Sequence, residues 1–188
     1  MSWFIIFYLA MYLLSSGRRW EVFVLEENGK TYAIKKAKDN TKKGSIQREI
    51  TILKYLRWKV DFVPQILDYW DDWFKYEFLP GVTLSKAKLS FNQLKEIYKK
   101  LVDYAYKLDL LNVEHWELSR PTKNIIVNFP KVYIIDFERG NLINKSFKNL
   151  KWIAQFLLWK QVILKEDLKF DNPENFKEFL TKKIGNVK

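Results

Sequence analysis

The stretch "VEHWELSRPTKNIIV", residues 113–127, sets His115, Glu117 and Asn124 on one loop ahead of a β-branched run. A histidine, a carboxylate and an amide so close together can move a proton, orient a hydroxyl or hold a cation. Further on, "IIDFE" supplies Asp136 and Glu138, and earlier "YAIK" supplies Lys35. The chain has no cysteine and one histidine. Disulfides, thiolate metal sites, cysteine nucleophiles and multi-histidine zinc sites are thereby excluded. Any metal would be held by carboxylate and amide oxygens, as magnesium prefers. The lack of cysteine fits a reducing, cytoplasmic setting.

Elements that could position these groups are readable around them. "EVFVLEENGKTYAIKKA" reads as two strands about the turn Asn28-Gly29, a strong hairpin signal that puts Lys35 on the second strand. "SIQREITILKYL" spaces Ile46, Ile50 and Leu53 as a helix does, and Glu49 falls on the same apolar face. A carboxylate there needs a partner. "FVPQILDYWDDWFKYEFLPG" reads as two more strands closed by Pro80-Gly81, a turn and lobe boundary. Ser90 and Gln93 form a capping box for a long helix through Leu94, Ile97, Leu101, Ala105 and Leu108. A strand pair turning at Pro130 follows the His115 loop. After it come a helix apolar nearly all round, "LKWIAQFLLW", and a last helix capped by Asn172-Pro173. The order is strands first and helices after, an α+β chain whose cleft between the two parts is the natural ligand site.

The 188 residues suffice for one domain or two small lobes, and the net charge of +11 favours phosphate-rich partners. The lysines are scattered, so a solvated basic surface is the plain reading and an RNA or ribonucleoprotein footprint the alternative. The apolar run "WFIIFYLAMYLL", residues 3–14, is too short for a helix across a bilayer of roughly 30 Å. It reads as an element running into a first strand, and membrane association is not expected.

In order and in context, these motifs resemble those of protein kinases over about residues 12–160. "YAIK" is similar to the kinase V-A-I-K strand and "IIDFE" to D-F-G, with Glu138 in the glycine position. The likeness is nearest to the small atypical kinases: the RIO group, the Bud-type kinase of the KEOPS complex and short archaeal Ser/Thr kinases. The resemblance implies a bilobal kinase-like fold, with a small antiparallel-sheet N-lobe over 1–80 and a minimal helical C-lobe over 81–188. It implies Lys35 as the phosphate lysine paired with Glu49, and Asp136 with Asn124 as magnesium ligands. Tyr76 would guard the back of an ATP pocket, and the main chain of Glu77, Phe78 and Leu79 would meet the adenine. Gly17 would be the one remaining glycine of the phosphate loop "SSGRRW". There Ser15 and Trp20 replace glycines, and Arg18 and Arg19 sit at the tip.

The same likeness puts Glu117 at the catalytic aspartate, Trp116 at the neighbouring arginine and Ser119 at a missing lysine. Arg120 or Lys123 would then neutralise the γ-phosphate. Glutamate keeps the carboxylate but adds a methylene, and the insertion "SRP" lengthens the loop to Asn124, so the expectation is a modified, working site. His115 is expected as a packed, hydrogen-bonded core residue. The leading function is an ATP- and magnesium-dependent serine/threonine kinase acting on an unidentified protein or complex. The alternatives are an ATP-binding pseudokinase switch and a basic RNA- or membrane-surface module.

Overall fold

The protein is described as a computed structural model over residues 11–143, 146–169 and 172–187. It opens with β1 (Met11–Ser16), β2 (Trp20–Glu27) and β3 (Lys30–Ala37). Asn28 and Gly29 take φ of 52° and 71°, the left-handed pair that a two-residue hairpin demands. Register between β2 and β3 is therefore unbroken, with Val22 opposite Lys35 and Val24 opposite Ala33. Helix α1 (Lys43–Leu56) buries Ile46, Ile50, Leu53 and Leu56, and Glu49 with them. β4 (Ile66–Tyr69) and β5 (Trp73–Glu77) complete an antiparallel five-stranded sheet in the order β1-β2-β3-β5-β4. Lys35 thus stands on the sheet's central strand. Of the apolar run 3–14, Met11 to Leu14 lie in β1; its earlier residues fall outside the described ones.

Past Pro80 the chain turns at Gly81, whose φ of 129° favours glycine and whose position leaves no room for a Cβ against the Val127 carbonyl. β6 (Val82–Thr83) leads into α2 (Phe91–Leu110), which starts at the expected Ser90–Gln93 box. β7 (Val113–Glu114) carries the chain to the His115 loop. β8 (Ile125–Asn128) and β9 (Lys131–Ile134) form a hairpin that β6 joins as a third strand. β10 (Asn141–Leu142) returns to pair with β7, and α3 (Lys148–Trp159) and α4 (Pro173–Asn186) close the helical half. The Asn172 side chain caps α4 as expected.

One core joins the halves. Leu53, Leu56 and Phe62 from the first half meet Leu101, Ala105 and Leu108 of α2 and Ile153 and Leu157 of α3. Phe62 stacks on Tyr104 with centroids 3.9 Å apart, and Ile134 N donates to Phe62 O at 2.8 Å. The architecture is α+β, with an antiparallel sheet first and helices after it, as the kinase-like two-lobed expectation requires. No helix among the described residues is long and apolar enough to cross a membrane.

Candidate active site

Lys35 reaches from β3 under the sheet, and its Nζ donates to Glu49 Oε2 at 2.6 Å and Asp136 Oδ1 at 2.7 Å. Burial works against the ammonium, but the two carboxylates outweigh it and hold its pKa above the ordinary value. Burial pushes Glu49 up to about 7, with Lys35 pulling the other way. The second Glu49 oxygen accepts from Phe137 N at 3.1 Å. The carboxylate on the apolar side of α1 is thus fully employed, bracing the lysine and the backbone beside Asp136.

Asp136 has φ of 70°, a left-handed position that Asp tolerates better than most side chains. It follows directly on the β8–β9 ladder, which Ile135 N extends by donating to Asn124 O at 2.9 Å. Asn124 and Asp136 therefore stand at adjacent ends of paired strands. Asn124 is buried and donates from Nδ2 to Glu117 Oε2 at 3.1 Å, which leaves its Oδ1 for a cation. The other Glu117 oxygen, Oε1, lies 3.3 Å from Arg139 Nη1. Among the described residues no cluster of three or more carboxylates and histidines is placed to hold a metal. Asp136 with the Asn124 amide fits the sparser set that suits magnesium, which keeps waters and takes further oxygens from phosphate.

His115 is fully buried beside Phe137, ring centroids 4.5 Å apart. Its Nε2 is 2.9 Å from Ile135 O, so the proton sits there, and Nδ1 accepts from Glu117 N at 3.4 Å. Burial lowers its pKa to about 4. It is a neutral structural group that positions the Glu117 backbone. Behind it, Asn149 of α3 accepts from His115 N at 2.9 Å and donates to Val113 O and to the Asp109 carboxylate. Asp109 also receives Asn149 N and Leu150 N, and burial raises its pKa to about 6. Trp116, at φ of 69°, turns outward beside Trp152.

A pocket of about 380 Å³ lies between sheet and loop, lined by Val22, Ala33, Tyr76, Phe78, Leu79 and Ile135 among others. Tyr76 sits opposite Ala33 in the ladder, and its pKa is pushed up to about 12 by burial. Of the residues expected to meet the adenine, Phe78 and Leu79 line the pocket and Glu77 does not, and Phe78 N is spent on Thr31 O at 3.1 Å. Lys123 lines the pocket; Arg120 is exposed and its amide donates to Glu117 O.

The phosphate loop departs most from expectation. Gly17 does not border an open space: a Cβ there would come 2.9 Å from Trp20 Cε2. The Trp20 indole covers Lys35, its centroid 4.6 Å from Nζ. Arg19 turns to Glu138, Nη1 to Oε1 2.8 Å, in place of facing phosphates. The buried Glu138 carboxylate, standing where kinases have glycine, draws it there. Arg139, against Glu117, and the Asp109–Asn149 link, behind the His115 loop, support this region without belonging to a motif. The latter carried a signal all the same, polar residues on apolar helix faces.

A family model described as the phosphotransferase enzyme family matches residues 13–126, more than half of the 188. The match takes in Lys35, Glu49, Tyr76, Glu117 and Asn124 and stops short of Asp136. An uncharacterised protein of Methanocaldococcus jannaschii is 35% identical over 75 residues, which cover 39% of this chain and 63% of that protein. The chain so spans less than two thirds of that relative's length.

Proposed function

The chain belongs to the phosphotransferase enzyme family, and we propose that within it the protein transfers the γ-phosphate of ATP, with magnesium, to serine or threonine hydroxyls, its own included. The observation that carries this reading is the buried Lys35–Glu49–Asp136 cluster beside a pocket sized for an adenine nucleoside. An ammonium braced by two carboxylates is a costly arrangement that phosphate binding would justify.

In this reading Lys35 holds the α/β-phosphates, and Asp136 and the Asn124 amide oxygen hold the metal, which neutralises phosphate oxygens when bound. Glu117 orients the acceptor hydroxyl and takes its proton. Tyr76 and the Leu79 amide define the adenine end. The lobe boundary is assigned to Pro80-Gly81, and the setting to the cytoplasm. Phosphate transfer from labelled ATP tests the proposal. Lys35→Ala and Asp136→Asn should each abolish transfer while still unfolding cooperatively, Lys35→Ala at a lower Tm because Glu49 and Asp136 lose their cation, and undiminished transfer in both would overturn it.

The placement of Trp20 over Lys35 supports a second reading, ATP binding without transfer. Stabilisation by ATP with no phosphorylated product would favour that switch.

A further inference from the structure

Lys35 has no open face. An ammonium carries three N–H bonds. Here Glu49 takes one at 2.6 Å, Asp136 another at 2.7 Å, and the Trp20 indole covers the group at 4.6 Å. The residue is 5% exposed. A phosphate oxygen cannot reach Nζ until the ring moves. The pocket agrees with this, for Trp20 lines it while Lys35 and Asp136 do not. Its volume of about 380 Å³ suits a base and a ribose and ends at the indole.

Two contacts hold the ring in place. Gly17 lies against it, close enough that a Cβ would touch Cε2 at 2.9 Å, and Gly17 N donates to Trp20 O at 2.9 Å. The adjoining Arg19 spans the cleft to Glu138 at 2.8 Å. The Glu138 side chain is 9% exposed, and its other oxygen is buried without a hydrogen-bond partner. Parting Arg19 from it therefore leaves a poorly solvated charge, which resists the movement.

We propose that Trp20 is a gate on the phosphate side of the pocket. The protein accepts an adenine nucleoside as it stands. It accepts a di- or triphosphate only by swinging the indole off Lys35 and releasing Arg19 from Glu138. The inference rests on the reading of the pocket as an adenine-nucleotide site. Holding the gate shut is subtracted from phosphate affinity, because the apparent dissociation constant is the intrinsic one divided by the fraction open. With about a tenth of molecules open, removing the ring tightens phosphate binding about tenfold.

Calorimetric titration with adenosine and with ADP, no metal added, tests this on the wild type, Trp20→Ala and Arg19→Gln. Trp20→Ala should raise ADP affinity about tenfold relative to adenosine affinity, adenosine being the reference because the ring also lines its site. Arg19→Gln should move ADP the same way by less. It keeps the ring and alters a partly exposed residue, so it carries the test if Trp20→Ala fails to fold. ADP binding that weakens or stays unchanged relative to adenosine, equal shifts for both ligands included, would overturn the gate and make Trp20 a plain wall of the base site. Binding of neither ligand by any variant would remove the nucleotide reading itself, and the gate with it.

Discussion

Arg139 holds one oxygen of the Glu117 carboxylate at 3.3 Å while Asn124 holds the other at 3.1 Å. The longer side chain is met by partners set for its length. Glu117→Asp, though it restores the kinase residue, would pull the carboxylate back by about 1.5 Å and lose both contacts. Its kcat for phosphate transfer should fall about a hundredfold. Glu117→Gln, which keeps the length and loses the proposed base, should cost on the order of 10²–10⁴. Steady-state transfer assays check both, and a faster Glu117→Asp would refute the fitted-length argument.

His115 gives an acid-sensitive stability with a defined sign. Its folded pKa of about 4 lies below the unfolded value of 6.5, so the unfolded state binds more protons between those limits. The contribution is complete above pH 6.5 and is lost as pH falls towards 4, reaching roughly 3 kcal/mol. Glu49 and Asp109 shift upward and work the opposite way on acidification, but they are common to wild type and His115→Leu. The difference in urea-unfolding free energy between the two proteins should therefore change by that amount over this range. A pH-independent difference would show that His115 takes up a proton in place.

Asn149→Ala removes a fully buried amide that links α2, α3 and the His115 loop. It should cost about 3 kcal/mol in urea unfolding at pH 8. Asp109 then loses a donor while keeping two backbone amides, which raises its pKa further. The loss should accordingly be smaller at pH 5, where the carboxyl is more readily neutral. A larger loss at pH 5 would contradict this.

Gly81→Ala combines a left-handed φ with a collision against the Val127 carbonyl. About 2–4 kcal/mol of destabilisation is expected, a fall in Tm of roughly 5–15 °C by thermal denaturation. Unchanged Tm would mean that the turn re-forms.

Local grammar made much of this legible. Asn28-Gly29, the Ser90–Gln93 box and Asn172-Pro173 each state a backbone requirement within four residues, and each forms as read. Glu49 announces its partner because a lone carboxylate on an apolar helix face has few other uses. Asp109 and Asn149 announce themselves in the same way but belong to no kinase motif, and so go unread. Arg139 gives no signal, since a cation in an aperiodic loop has no face to violate. The direction of the Trp20 ring and the Arg19 side chain is likewise not local: it depends on Lys35 and Glu138, which only the folded chain brings to them.

Helix α1 lies in the first half of the chain yet is bolted to the second. Glu49 takes Phe137 N, Arg48 reaches the Glu138 carbonyl at 3.3 Å, and the segment after the helix is pinned where Ile134 N meets Phe62 O. The same helix is tied to the sheet side as well, by Lys35 Nζ on Glu49 and by Gln47 Nε2 on the Asp71 carbonyl, so α1 is a tie-bar between the two halves. Any change in the width of the cleft would load that bar at both ends, with Lys35, Glu49 and Phe137 N standing in series between sheet and loop.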